Sequence, residues 1–465
     1  MLFFVLLKLC FVVGLGLILL STFFREHFLG DSKPRPDTLE ERVNRILSET
    51  PLIDGHNDLA ILIRFLYNNR IYEENFTTPF ELGGMPGEVD LPRLKAGKNG
   101  GAFWSAYVPC PANGSDFSDE NYAESQTLNR YIPAAYPFTL SIILYITHSY
   151  TYFTPAVAFT LAQIDVLTRL QSAYPTHFSL PPNSSTALSA FKSGLLISPL
   201  AIEGLHQIGN SLSNLRLFHS LGVRYATLTH NCHNIYADAA LLEIPGGTKK
   251  APPYWGGISP AGKQLIQEMN RMGMIVDLSH VSVAVMRDVL GGSEGWAGSA
   301  APVIYSHSSA YSVCPHPRNV PDEILYLVKK TNSVVLVNFA PDFISCVENP
   351  ESPVGLPDTD HENATLQQVV KHIKYIGDLV GYEHVGLGSD FDGIPSTPEG
   401  LDDVSKFPDL VGEMLKQGIT DEQASMVVGG NVLRVWAEVD KVAEKMQREG
   451  VKPVEDKLPS FGSPY

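Results

Sequence analysis

Leu52-Ile-Asp-Gly-His-Asn-Asp58 opens as a short apolar run and closes on a histidine and an aspartate two positions apart. On a strand, residues i and i+2 share a face, so both side chains can reach the same space. The same pattern returns down the chain. Gly101 to Cys110 is the second such run, Leu196 to Gly204 the third, and Val223 to His230 the fourth. Met274 to His280 is the fifth, Pro302 to His307 the sixth, Ser333 to Phe339 the seventh and His384 to Asp390 the eighth. Helical stretches separate them, among them Leu39 to Ser48, Gly262 to Arg271, Pro321 to Lys330 and Leu366 to Val380. Thr420-Asp-Glu-Gln423 has the spacing of a capping box for a late helix. Strands alternating with helices predict a parallel sheet wrapped by helices, and eight of them predict an α/β fold of the TIM-like (β/α)8 barrel type.

In such a barrel all strand C-termini meet on one face. Polar residues stand at that end of most of the runs: His56, Asp58, Glu203, His230, His280, His307 and Asp390. Neutral imidazole with carboxylate suits zinc better than calcium or magnesium, which prefer all-oxygen shells. Seven such groups exceed one tetrahedral shell, so the pattern points to two ions with a carboxylate between them. Each residue alone has a plainer reading: a strand-end histidine is commonly a hydrogen-bonded structural group, and Asp390 could cap a helix. The recurrence at one end of so many strands is what favours a metal centre. Asp54, His206, His219, His233, His316 and Asp392 read as supporting or structural groups. The glycines around Asp390 (Gly386, Gly388 and Gly393) suit close packing and turns; they do not form a dinucleotide-binding loop.

Composition narrows the setting. The 465 residues carry a formal net charge of −16, which argues against nucleic acid as a partner. Of five cysteines, Cys10 lies in the first apolar run, leaving Cys110, Cys232, Cys314 and Cys346. No Cys-x-x-Cys pair occurs, so neither a thiolate zinc site nor a redox motif is expected. Asn75, Asn113, Asn183 and Asn363 begin Asn-x-Ser/Thr sequons. With the apolar N-terminus they favour the secretory route.

Leu9 to Phe24 is uncharged and apolar, flanked by Lys8 and Arg25. It is short for a full span and long for a signal-peptide core. Two readings of residues 1–30 fit: a signal anchor that holds the chain to a membrane, or a cleaved signal peptide with a secreted product. The want of a small-x-small cleavage site favours the anchor. The tail from Lys457 to Tyr465 is polar, so no GPI anchor is expected. Residues 31–465 are assigned to the catalytic barrel. Tyr131 to Ile164 holds no Asp, Glu, Lys or Arg, yet Pro133, Pro137 and Pro155 interrupt it. A lipid-facing or poorly ordered insertion fits it better than a membrane span.

Asp54-Gly-His-Asn-Asp58, Glu203-Gly204, Thr227-Leu-Thr-His-Asn-Cys232 and Leu278-Ser-His-Val-Ser282 resemble one family. So do Ser306-His-Ser-Ser-Ala-Tyr-Ser312, Arg318-Asn-Val-Pro321 and Gly388-Ser-Asp-Phe-Asp-Gly393. It is the membrane (renal-type) dipeptidase family, peptidase family M19, within the metallo-dependent hydrolase superfamily. The likeness runs from about residue 40 to 440. It implies a zinc dipeptidase with two Zn2+ per subunit. His56 and Asp58 would hold one ion, His280 and His307 the other, with Glu203 bridging. His230 would bind substrate and polarise the scissile carbonyl, and Arg318 would bind the substrate's carboxylate. Asp390 would orient a hydroxide bridging the ions, take its proton and pass it to the leaving amine. The family pattern also implies disulfides Cys110–Cys232 and Cys314–Cys346. Relatives are often dimers, but the cysteine that links some of them has no match here, so a homodimer would be non-covalent.

Two further departures stand out. Phe343 takes a place where relatives often have tyrosine. Residues 123–155 are extra, and their removal joins Asn121-Tyr-Ala to Pro155-Ala-Val in a family-like way. A translated intron or recent insertion explains this, and transcript sequencing across it decides between them. The rival enzyme reading is another binuclear amidohydrolase-type barrel acting on lactones or cyclic amides. Such enzymes commonly bridge their metals with a modified lysine, and no lysine ends a strand here. A non-enzymatic binding barrel would be expected to have lost ligands, and this one keeps all seven.

Overall fold

In the computed structural model, residues 37–111 and 156–456 are described. The N-terminal apolar segment, Asn113, the 123–155 insertion and the tail from Lys457 lie outside them. Among the described residues no helix is long and apolar enough to cross a membrane. The barrel lies in the unit that begins at Val43.

Eight strands occupy the eight expected places: β1 Leu52–Asn57, β2 Asn99–Ser105, β3 Leu200–Glu203, β4 Val223–Thr227, β5 Ile275–Asp277, β6 Ile304–Tyr305, β7 Val334–Val337 and β8 Val385–Leu387. They pair in chain order, every neighbouring pair parallel. The ring closes between β8 and β1. There the Asp58 amide donates to Phe391 O at 2.9 Å and the Asp390 amide to His56 O at 3.1 Å. Asp54 secures the same seam, accepting from the Ser389 amide at 2.7 Å and its hydroxyl at 2.5 Å. Two glycines make room at the barrel's centre. A Cβ on Gly388 would stand 1.8 Å from Ser306 O, and one on Gly55 2.2 Å from Leu336 Cδ1.

The helices follow their end signals. Pro260–Met272 starts on Ser259, whose hydroxyl accepts from the Gly262 amide, and stops at Gly273 in the left-handed region. Leu366–Val380 buries Val369, Val370, Ile373, Ile376 and Gly377, the apolar face read from the sequence. The capping box at Thr420 forms, with both reciprocal bonds present. The last helix, Asn431–Arg448, follows a π-helical turn and sends Val432, Val435, Trp436 and Val439 into the core. Trp436 packs on Phe103 (centroids 5.4 Å), Phe103 on Tyr225 (5.2 Å) and Tyr225 on His56 (6.3 Å). Aromatic packing therefore runs without a break from this helix to the polar rim.

The strands are shorter than expected. β4, β5, β6 and β8 stop before His230, His280, His307 and Asp390, which sit in the loops that follow. His280 (φ 67°) and Asp390 (φ 65°) take left-handed backbone there. That conformation costs a non-glycine residue about 1–2 kcal/mol, and it turns each side chain away from the regular strand direction. The hairpin Leu241–Ile244 with Gly247–Lys250, turned at Pro245-Gly246, stands beyond β4.

Candidate metal centre

Glu203 ends β3 and is almost wholly buried. Its Oε1 lies 2.8 Å from His280 Nε2 and 3.3 Å from His307 Nε2, while its Oε2 lies 3.6 Å from His56 Nε2. One carboxylate thus faces two sets of imidazoles, one with each oxygen. His280 Nε2 and His307 Nε2 are 2.9 Å apart. On the other side His56 Nε2 is 3.1 Å from Asp58 Oδ2 and 4.0 Å from Asp390 Oδ1. Ligand atoms at about 2.1 Å from one tetrahedral zinc are themselves roughly 3.4 Å apart, and these spacings bracket that value. Ligand atoms of His56, Asp58 and Asp390 lie within 4.8 Å of one another, as do those of His56, Glu203 and His307 and those of Glu203, His230 and His280. Asp58 Oδ1 is buried with no hydrogen-bond partner, an acceptor left to a cation. The donor set therefore fits zinc.

The imidazoles are oriented from behind. His56 Nδ1 is 2.6 Å from the Tyr225 hydroxyl, which has Gly55 O as its own acceptor at 3.1 Å. His280 Nδ1 is 3.0 Å from Asn231 Oδ1. In both cases a proton on Nδ1 satisfies the outer partner and leaves the Nε2 lone pair facing inward, the form a metal ligand needs. His230 presents one edge to Glu203 and His280; its Nδ1 lies 3.5 Å from Glu243 Oε1 on the hairpin. Tyr107 packs edge-on against its ring at 4.9 Å.

Electrostatics match the geometry at Glu203, His280 and His307; at His56 burial is outweighed by Tyr225, Asp58 and Glu203, which together raise it well above the usual histidine value. Burial alone would raise Glu203, but the imidazoles of His56, His230, His280 and His307 overcome it and hold its carboxyl well below the usual range. Burial keeps His280 and His307 neutral, well below the usual histidine value. Burial, reinforced by Asp58 and Glu203 and opposed by His56 and Arg318, lifts Asp390 to about 7. A group at that value can take and return a proton near neutrality. Its Oδ2 accepts from Asn338 Nδ2 at 3.0 Å.

Arg318 is 2 % exposed. One terminal N–H donates to His307 O at 3.3 Å, Nε has no partner, and the guanidinium lies 4.9 Å from the centre of the Phe343 ring. Asn319 anchors this loop by donating to Cys314 O and Phe343 O. Both disulfides implied by the resemblance form, Cys110–Cys232 and Cys314–Cys346. The first links the β2 and β4 loops beside His230; the second links the Arg318 loop to that of Phe343.

All seven rim residues converge, and Arg318 joins them. His206, bonded to Val108 O, and His316, packed on Phe343, stand behind the site, while His219 lies on the outer helix Leu212–Ser220. Sequence reading missed Tyr225, Asn231, Asn338 and Asp277. Tyr225 and Asp277 lie inside strand runs, where alternation alone carries no functional signal. Asn75, Asn183 and Asn363 are exposed, and Asn183 also caps the helix Ser184–Lys192.

A parallel eight-stranded barrel with this rim defines a metal-dependent hydrolase. Residues 40–450 match the family described as membrane dipeptidase, peptidase family M19. The chain belongs to that family and is a metallodipeptidase. It is 40% identical over 427 residues to dipeptidase aclJ of Aspergillus oryzae, covering 90% of this chain and 85% of that one. It is 43% identical over 400 residues to an uncharacterized dipeptidase of Schizosaccharomyces pombe, covering 86% and 83%. Among solved structures, a metallo peptidase from Rhodobacter sphaeroides, liganded with a phosphinate mimic of the dipeptide L-Ala-D-Ala, superposes with a TM-score of 0.62. It is 25% identical, and the match covers 84% of this chain and 99% of that one.

Proposed function

We propose that the chain cleaves dipeptides with two zinc ions, one held by His56 and Asp58, the other by His280 and His307, and both by Glu203. The observation that carries this reading is the division of Glu203, with one oxygen toward each set of imidazoles. Zinc in such a site lowers the pKa of bound water to near 7 and polarises a carbonyl. The remaining work falls to side chains. Arg318 receives the substrate's carboxylate with a guanidinium whose Nε–H the protein leaves unpaired. His230 donates to the scissile carbonyl oxygen as negative charge grows on it. Asp390 accepts the proton of the attacking water and returns it to the departing amine. Asn338, bonded to Asp390 Oδ2, keeps that carboxylate aimed inward. A buried guanidinium beside the metal residues favours a free carboxylate on the substrate over lactones or cyclic amides.

Two internal disulfides and exposed sequons support a catalytic domain on the extracellular or lumenal side, glycosylated at Asn75, Asn183 and Asn363, with Asn113 as a further acceptor. The N-terminal segment would anchor it, or be cleaved to release it. Relatives' pairing extends to this chain as a non-covalent homodimer. The deciding experiment is metal analysis of the purified chain with hydrolysis of a dipeptide panel, before and after chelation. Two equivalents of zinc and chelator-sensitive dipeptidase activity are expected. Lactone turnover with inert dipeptides would replace this reading.

A further inference from the structure

Asp277 closes β5 and is fully buried, yet it lies outside the set of groups assigned to metal or substrate. Its Oδ1 accepts two amide N–H bonds, from Ser306 at 2.7 Å and Ser279 at 3.1 Å. Its Oδ2 faces two hydroxyls, Ser306 Oγ at 2.6 Å and Thr227 Oγ1 at 2.5 Å. Four donors from the ends of β4, β5 and β6 therefore meet on one carboxylate. Ser306 Oγ is also 2.8 Å from His307 Nδ1.

The proton count on Ser306 decides the direction of this chain. A hydroxyl has one proton. At 2.6 Å the carboxylate takes it, in preference to Ser279 Oγ at 3.4 Å. Ser306 Oγ then has only lone pairs to offer His307, so Nδ1 must carry the imidazole proton. Nε2 is left bare where it faces Glu203 and His280. The backbone agrees, since the His307 amide donates to Ser279 Oγ at 2.9 Å and fixes the root of the side chain.

We infer that Asp277 and Ser306 are positioning residues, a carboxylate–hydroxyl relay that sets the tautomer of His307 and so makes it a metal ligand. The inference rests on the two-metal reading for its purpose but not for its geometry, and the test separates the two. Ser306→Ala removes the acceptor, and Ser306→Thr keeps it. Asp277→Asn does more: an amide N–H turned toward Ser306 makes the hydroxyl an acceptor, sends its proton to His307 Nδ1 and drives the imidazole proton to Nε2.

The first readout is the tautomer itself, from long-range proton–nitrogen NMR of the full chain labelled with 15N-histidine, metal-free and zinc-loaded. His307 is expected to carry its proton on Nδ1 in the parent and in Ser306→Thr, and to shift toward Nε2 in Asp277→Asn. A parent protein protonated at Nε2 overturns the inference, whatever its metal content. The second readout is zinc affinity by chelator competition. Ser306→Ala is expected to bind one zinc about 10- to 100-fold more weakly, the usual cost of losing an outer partner, and Ser306→Thr to restore it. Equal affinity in parent and Ser306→Ala overturns the inference while leaving the metal centre standing. A parent that binds no zinc yet shows the Nδ1 tautomer refutes the two-metal reading and leaves the relay intact.

Discussion

Replacing Arg318 by methionine tests the proposed grip on the substrate most directly. The guanidinium makes one 3.3 Å bond to His307 O, its Nε–H is unpaired, and the side chain is 2 % exposed. The protein gives back little for desolvating this charge; burial lowers its pKa to about 10 despite the pull of Asp390, Glu203 and Asp277. A substrate carboxylate would complete it with two charge-assisted hydrogen bonds of about 1.5–3 kcal/mol each. Losing both predicts a loss of about 3–6 kcal/mol in transition-state stabilisation, a fall in kcat/KM of roughly 10²- to 10⁴-fold. The assay compares a dipeptide with its C-terminal amide on parent and variant. The parent should favour the acid by a factor of this order, and Arg318→Met should discriminate little between them. Arg318→Lys should fall between, keeping charge but losing the planar fork. Thermal stability should not drop in Arg318→Met, since an under-compensated buried charge gives way to an apolar side chain of similar reach. Undiminished preference for the acid in Arg318→Met would sink the assignment.

Glu203→Gln removes the negative charge shared by both imidazole sets, so bound zinc should fall by at least one equivalent in metal analysis, with activity lost in proportion. His372 is buried, its Nδ1 accepts from the Ala310 amide and its Nε2 bonds Ile344 O; burial lowers it to about 4 despite the latter bond. The unfolded chain, near 6.5, binds more protons between these values, so this contribution is complete above about pH 6.5 and is lost as pH falls toward 4. The loss is on the order of 3 kcal/mol, and the slope of unfolding free energy against pH should flatten by about one proton in His372→Gln; an unchanged slope counts against it. The Cys314–Cys346 bridge closes a sequence separation of 32 residues. Replacing both cysteines by alanine should cost roughly 2–4 kcal/mol in denaturant unfolding. Because the bridge ties the Arg318 loop to that of Phe343, KM should rise more than kcat falls.

The eight-strand order was legible because each strand is a short apolar run with a turn after it, and a parallel barrel needs no long-range pairing information beyond that succession. Most of the metal-competent residues were legible for a related reason: the C-terminal ends of barrel strands share one rim, so position in the run stands in for position in space. Arg318 could be placed only through the family resemblance, since it follows a loop and no periodicity marks it. Tyr225 and Asp277 were invisible as functional groups. Whether a strand residue points into the barrel and how high it stands depend on stagger, and β1 and β3 each shift register against a neighbour.

Residue identity alone therefore determined the succession of strands and the kinds of ligand available, because both depend on chemistry local in the chain. Which oxygen of Glu203 faces which histidine, and which nitrogen of each histidine keeps its proton, was decided only by tertiary structure. Those outcomes depend on ångström-scale contacts among residues as far apart as His56, Tyr225 and Asp390. Barrel closure and the left-handed turns at His280 and Asp390 set those contacts, and no local pattern encodes them.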